Sequence, residues 1–233
     1  CWPTPSGGWR RRKRRASRPP SSHHPPMWCT TETGQRRSIL GIGRLFPSQP
    51  FAVPPAERKR GNTKMILRQE LPKDYETVHH LIADSFATAE HSDGNEADLV
   101  AALRTGPSFV PALSRVAEVQ GEIVGHILLT KAHVGSTTVL ALAPLSVKPQ
   151  FQRQGIGRAL ILDGHAVAKR LGFSYVLVLG SRAYYTRFGY APAARFHIEA
   201  PKGVPSDHLM AICLWENPGP IHGTLIYGKE FSL

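Results

Sequence analysis

Residues Leu145 to Ile161 read LSVKPQFQRQGIGRALI, and the order of signals in this stretch decides the fold. A β-rich run from Thr138 to Val147 is stopped by Pro149. A polar loop, Gln150 to Gln154, then leads into Gly155-Ile156-Gly157. Beyond it Ile156, Leu160, Gly164, Val167 and Leu171 fall on one stripe, which predicts a helix to Leu171 terminated by Gly172. Strand, glycine loop and helix start together make an anion site, because the unpaired N–H groups of the first helical turn and the helix dipole converge on one point. Glycine is needed there because a side chain would hold a phosphate away from the backbone. The sequence carries a second copy, GIGRLF at Gly41 to Phe46. No strand precedes that copy, and Pro47 ends any helix after one turn, so only the later one fits. A glycine pair is weak evidence by itself, since many such turns use glycine for steric reasons. It is not a dinucleotide fingerprint, because Leu160 stands where the third glycine would, and no Gly-Lys-Ser/Thr makes it a P-loop.

The 233-residue chain carries a formal net charge of +12, which by itself would point to nucleic acid or an anionic surface. The charge is uneven. Residues 1–64 hold 14 of the 29 Lys and Arg against 2 of the 17 Asp and Glu, leaving 15 of each sign for residues 65–233. The front segment also holds ten of the 20 prolines, the run Trp9-Arg10-Arg11-Arg12-Lys13-Arg14-Arg15 and little apolar periodicity. Such a composition cannot bury enough surface to offset ordering entropy, so residues 1–64 are expected to be a disordered, basic tail. Its functional readings are a nucleic-acid or nuclear-localisation arm and an Arg-rich transit peptide. A third reading is sequence upstream of a start at Met65 and not part of the native protein. It is favoured by an opening residue Cys1, and by a strand-like MILRQE that begins at Met65.

Residues 65–233 suit one domain with a real core. No apolar run approaches the roughly 18 residues of a membrane span, so no membrane partner is expected. Only Cys213 of the three cysteines falls here, which excludes a disulfide framework and agrees with a reducing, cytoplasmic compartment. The histidines, from the adjacent His79-His80 to the scattered His126, His133, His165, His197, His208 and His222, lack ligand spacing, and no metal is expected. Met65 to Gln69 reads as a short strand. Pro72 opens a helix bearing Tyr75, Val78, Ile82 and Phe86, and Asn95 caps a second that carries Leu99, Val100 and Leu103 until Gly106-Pro107 breaks it. Leu113 to Val119 and Ile123 to Thr130 flank Gln120-Gly121 as a hairpin.

Gln152-Arg153-Gln154-Gly155-Ile156-Gly157 resembles the Q/R-x-x-G-x-G/A motif of the GNAT superfamily of N-acetyltransferases. Downstream, YVLVLGS looks like that family's next strand, AYYTRFGYAPA like its short helix and aromatic signature, and the C-terminal SDHLMAICLWENPGPIHGTLIYGKEF like a bacterial, YhbS-like branch. The likeness covers residues 65–233. It implies an α/β fold of the α+β type: a mixed, twisted sheet of about seven strands with helices on both faces. It also implies that the strands on either side of the glycine-loop helix splay apart, with acetyl-CoA in the gap. Leu145, Ser146 and Val147 would then meet the pantetheine arm, the outer two through their backbone. Gln152, Arg153, Gln154, Gly155, Gly157 and Arg158 would surround the diphosphate.

The chemistry that the resemblance implies is direct attack of a primary amine on the thioester. A lysine-type amine is neutral in only about one molecule in 2,500 at pH 7, so a base or a water chain must help. A strand N–H near Val147 would stabilise the developing oxyanion. The leaving thiolate needs a proton, and Tyr185 matches the family's general-acid position, with Tyr184 as the alternative. His126 and Glu118 are within reach as bases, whereas Ser146 lacks a nucleophile elbow and Cys213 reads as an inert core thiol. Acceptor pockets of this fold use the first two helices and the last hairpin. Glu90, Asp93, Glu96 and Asp98 make the first of these acidic, which suits an amine cation on a small molecule or on a protein. The protein is expected to act as a monomer or homodimer. Two rivals are a non-catalytic acyl-CoA sensor, which would keep the loop without the acid, and a nucleic-acid-binding protein that works through residues 10–15.

Overall fold

The computed structural model describes residues 64–87, 94–216 and 218–232. The expectations for the tail, the Gly41 repeat, Glu90 and Asp93 lie outside these residues. The chain runs β1 (Met65–Gln69), α1 (Tyr75–Phe86), α2 (Glu96–Thr105), β2 (Ser114–Val119), β3 (Glu122–Val134), β4 (Thr137–Val147), α3 (Ile156–Arg170), β5 (Tyr175–Leu179) and α4 (Arg182–Tyr185). It ends with β6 (Ala191–Pro192), β7 (Ile198–Glu199), β8 (Leu209–Cys213) and β9 (Gly223–Ile226). The sheet order is β1-β2-β3-β4-β5-β8-β6, with β9 on the far end of β3 and β7 beside β9. About seven strands are expected and nine are present among the described residues; the additional two, β6 and β7, are two-residue pairings.

Most neighbours are antiparallel, and short turns join two of these pairs, β2 to β3 and β3 to β4. Gln120 and Gly121, both at positive φ, turn β2 into β3. β4 and β5 are parallel, since α3 provides the crossover between them. Successive side chains point to opposite faces, and both faces are covered. Ile127 and Leu129 pack with Leu160 and Ile161 of α3, while Val116 and Leu128 pack with Val78, Ile82, Val100 and Leu103 of α1 and α2. This double coverage buries β3 from Ile123 through Thr130 and explains why its sequence does not alternate. A clean hydrophobic-polar alternation would need one face in water.

β4 contains one residue too many. Leu142 lies opposite Leu129 and Leu145 opposite Ile127, so Leu128 faces two residues, Ala143 and Pro144. This is a β-bulge, and it shifts the facing pattern by one. Leu140 and Leu142 face α3 before it, and Leu145 and Val147 do so after it. Pro144 has no N–H to offer a neighbour.

Candidate acyl-donor cleft

The bulge coincides with the end of pairing to β5. Only Leu140 and Ala141 have partners there, Val176 and Leu177, so the β5-side edge of β4 is unpaired from Leu142 to Val147. The direction of its polar groups follows from the other neighbour. Lys148 N–H donates to the Val124 carbonyl at 2.9 Å, and alternation along an antiparallel ladder gives the next bonded pair to Ser146 and His126. Leu145 and Val147 therefore turn their N–H and C=O groups into the gap. The Val147 carbonyl accepts the Gln152 side-chain amide at 3.1 Å.

Ser146 does not share this geometry. Its backbone turns to β3 and its side chain to the α1–α2 face, where the hydroxyl is buried without a partner among the described residues. Ser146 therefore presents neither its side chain nor its polar backbone groups to the gap, because within a strand alternate residues face opposite edges.

At the end of β4 the chain makes a 3-10 turn over Pro149–Phe151 and enters the loop. Arg153 has φ +59° and Gly155 φ +89°, two left-handed residues that fold the backbone back on itself. The Gln154 side chain donates to the Gln150 carbonyl at 3.0 Å. Gly155 is the N-cap of α3 and no side chain caps the helix. The first amide of the helix with an internal acceptor is that of Ala159, bonded to the Gly155 carbonyl at 3.0 Å. Among the described residues, the N–H groups from Arg153 to Arg158 have no protein acceptor, and residues 152–155 are exposed. The loop is an uncapped helix start open to solvent at the mouth of the gap. Gly125 of β3 lets it sit there: a Cβ on Gly125 would lie 2.9 Å from Ile156 Cγ2 and 3.0 Å from Leu160 Cδ1, so only glycine admits the first turns of α3 this close to the sheet.

Two phenols flank the gap. A Cβ on Gly180, just past β5, would lie 2.7 Å from Cε2 of Tyr185, so that ring covers the end of β5. Tyr185 is 8% exposed and packs edge-on between Tyr184 and Tyr190 at 5.1 and 5.4 Å. Its hydroxyl has no hydrogen-bond partner among the described residues, yet it is not one of their sealed, unpaired atoms; the oxygen keeps contact with solvent. Burial, and then the neighbouring Tyr184, push its pKa above the ordinary phenol value. Tyr190 is anchored in turn by a 2.8 Å bond to His165. Tyr184 is half-buried, and its hydroxyl reaches across to Gly157.

Neither expected base is a free group. His126 is fully buried, and burial followed by Arg104 lowers its pKa to about 3. Its tautomer is set by a chain of bonds. Ser114 Oγ donates to Glu70 at 2.6 Å and must then accept from His126 Nε2, 3.0 Å away. Arg104 closes the chain on Glu70 at 2.5 Å. Glu118 accepts from Arg68 at 2.9 Å. Cys213 is half-buried and donates to the Trp215 carbonyl at 3.0 Å. Of the acidic residues near the first two helices, Glu96 is buried and Asp98 pairs with His79 at 3.2 Å. Among the described residues, no three His, Cys, Asp or Glu side chains come together as a metal site, and no helix is long and apolar enough to cross a membrane.

Sequence reasoning missed the Tyr184 placement and the Glu70–Ser114–His126 chain. The first depends on which way a four-residue helix turns, and the second joins residues from three strand regions that carry no shared motif.

Comparison with known proteins gives three findings. The model of the acetyltransferase (GNAT) family matches residues 75–190. The uncharacterized N-acetyltransferase YjhQ of Escherichia coli K12 is 37% identical over 148 residues, 57% of this chain and 82% of that protein, and the uncharacterized N-acetyltransferase YhbS of the same strain is 30% identical over 132 residues, 56% and 75%. Among solved structures, a GNAT family acetyltransferase from Brucella melitensis in complex with acetyl-CoA is 27% identical with a TM-score of 0.61, covering 72% of this chain and 98% of its own. Escherichia coli YhbS in complex with CoA, 23% identical with a TM-score of 0.68 over 76% and 97%, shares the fold.

Proposed function

Because the chain belongs to the GNAT acetyltransferase family, we propose that it binds acetyl-CoA along the open edge of β4 and transfers the acetyl group to a primary amine, with Tyr185 as general acid. The observation that carries this reading is the continuity of two unsatisfied surfaces, the β5-side edge of β4 and the uncapped start of α3. An arm carrying amides and ending in a diphosphate fits both. When bound, acetyl-CoA supplies an activated acyl group that an amine converts to an amide with release of the coenzyme thiol.

The protein's own residues would divide the work by position. The amides of Arg153, Gln154, Gly155 and Gly157 receive the diphosphate, with Arg158 adding charge. The inward N–H and C=O groups of Leu145 and Val147 hold the arm as an added strand. Gln152, already bonded to Val147, fixes the loop to the strand. The arm between diphosphate and sulfur runs through about twelve bonds, equivalent to roughly four residues of extended chain, ~14 Å. That length brings the reacting centre back from the loop to the level of the bulge at Ala143–Pro144. Counting in register from the Ala141–Leu177 pair and allowing for the residue inserted in β4, Gly180 lies level with Leu145. Tyr185, over Gly180, therefore stands beside the expected sulfur, protonated and able to donate as the C–S bond breaks. The amine's proton leaves to water, since His126 and Glu118 are both engaged elsewhere.

The test is calorimetric titration of the full chain with acetyl-CoA, followed by a thiol-release assay against a panel of small amines and N-terminal peptides. Saturable 1:1 binding with amine-dependent thiol release is expected. Absence of binding rejects the whole reading. Binding without turnover on any amine favours the sensor alternative.

A further inference from the structure

We propose that Tyr184 is a binding residue for the acyl donor, holding it where the diphosphate meets the pantetheine arm, and that it acts separately from the neighbouring acid, Tyr185. The inference rests on the acetyl-CoA reading above. A Cβ on Gly157 would lie 2.8 Å from the Tyr184 hydroxyl, 3.7 Å from Leu145 Cδ2 and 3.8 Å from Val147 Cγ2. The phenol oxygen thus touches the bare Cα of Gly157 in the first turn of α3, between that turn and the two β4 residues whose backbone faces the gap. It is half-buried, with its pKa raised chiefly by that burial, so it is an O–H donor at any physiological pH. No group of the protein accepts from it among the described residues.

The ring is held there from two sides. Phe188 packs against it at 5.2 Å and Tyr185 at 5.1 Å. The Arg187 guanidinium lies 4.8 Å from its centroid while donating Nε–H to the Tyr184 carbonyl at 3.3 Å. Arg187 is therefore a positioning residue for the ring, and it carries a positive charge to the same mouth. An anionic ligand seated on the α3 amides would find the hydroxyl as one further donor, in a charge-assisted bond.

The experiment uses the full chain and reads the acetyl-CoA dissociation constant, KM and kcat for Tyr184→Phe and Tyr185→Phe. It also reads the ligand-free melting temperature of Gly157→Ala, alone and combined with Tyr184→Phe. Tyr184→Phe should weaken acetyl-CoA about tenfold, the loss expected of one hydrogen bond to a charged group, with kcat at saturation within about twofold. Tyr185→Phe should do the reverse. Gly157→Ala should lower the melting temperature when the hydroxyl is present and much less when it is absent, because the added methyl meets that oxygen; this coupling reports the contact itself. If the wild type binds acetyl-CoA and Tyr184→Phe binds it equally well, the inference is overturned and the acetyltransferase reading stands. It is overturned in the same way if Tyr184→Phe abolishes kcat while Tyr185→Phe does nothing, for then Tyr184 is the acid. If the wild type does not bind, both fall together.

Discussion

Replacing Tyr185 by Phe should separate catalysis from stability. The substitution removes one oxygen and leaves the ring in its slot against Gly180, Tyr184 and Tyr190. Most losses of a buried hydroxyl destabilise because a partner is left unsatisfied, but this oxygen has no partner among the described residues. The stability change is therefore expected to stay within about 0.5 kcal/mol of zero. The rate should behave differently: withdrawing a positioned acid costs typically 10²- to 10⁴-fold, so kcat should fall at least about a hundredfold at pH 7 with KM for acetyl-CoA little changed. The pH dependence carries a second signature. Burial raises the phenol's pKa above its usual value near 10, so the wild-type rate should lose no activity to Tyr185 ionisation below about pH 10. The assay is steady-state thiol release from pH 6 to 10 beside urea unfolding of the same two proteins. An undiminished rate in Tyr185→Phe refutes the acid assignment. A rate lost together with several kcal/mol of stability would show that the hydroxyl holds the site together, and the acid assignment would lose its support.

Three further outcomes follow from buried groups and close packing. Burial lowers the His165 pKa from 6.5 to about 4; the unfolded chain takes up the proton first, so stability is full above pH 6.5 and falls by about 3 kcal/mol as pH drops towards 4, and His165→Gln, which can still bond Tyr190, should show a shallower acid limb in melting experiments. Arg104→Met strands the buried Glu70 carboxylate and should cost about 3–5 kcal/mol by urea unfolding, with part of the loss recovered in a Glu70→Gln, Arg104→Met double variant. Gly125→Ala drives a methyl to 2.9 Å from Ile156 Cγ2; it should destabilise by about 1–3 kcal/mol and weaken acetyl-CoA in titration, whereas normal affinity would show that α3 need not lie this close to the sheet.

The sequence made most of this architecture legible where local chemistry governs. Gly155 and Gly157 sit at the helix start, Gln120-Gly121 makes the hairpin turn, and Gly172 follows the end of α3, as the turn and cap rules require. The sequence pattern ends β3 at Thr130, whereas the strand runs to Val134, because β9, which pairs His133 and Val134 with Ile226 and Leu225, lies some ninety residues away in sequence and leaves no local trace. The bulge, by contrast, did leave one. In Leu140, Leu142, Leu145 and Val147 the apolar spacing changes from two to three at Ala143-Pro144, a one-residue slip that only an inserted residue can reconcile with one continuous strand. The Tyr184–Tyr185 ambiguity had no such signal, since adjacent residues on one helical turn differ in direction by about 100° and nothing local says which faces the gap.

That slip ties the site to the fold more closely than the glycine loop does. If β4 continued without it, Ser146 would take the α3 face and Leu145 and Val147 the opposite one. The backbone alternation would shift with them, and the inward N–H and C=O groups would belong to Ser146 and its neighbours two residues away. Gly157 would then look onto different side chains, and the apolar contacts that seat α3 on the sheet would be lost. One inserted residue at Ala143–Pro144 thus brings three conditions into phase. Pairing with β5 stops after Ala141, the polar edge of Leu145 and Val147 opens, and their side chains hold the start of α3 against the sheet. An anion-binding helix start is common among αβ folds. Its coupling to a strand edge of the right parity is what makes it a place for a long, amide-bearing ligand and not merely for a phosphate.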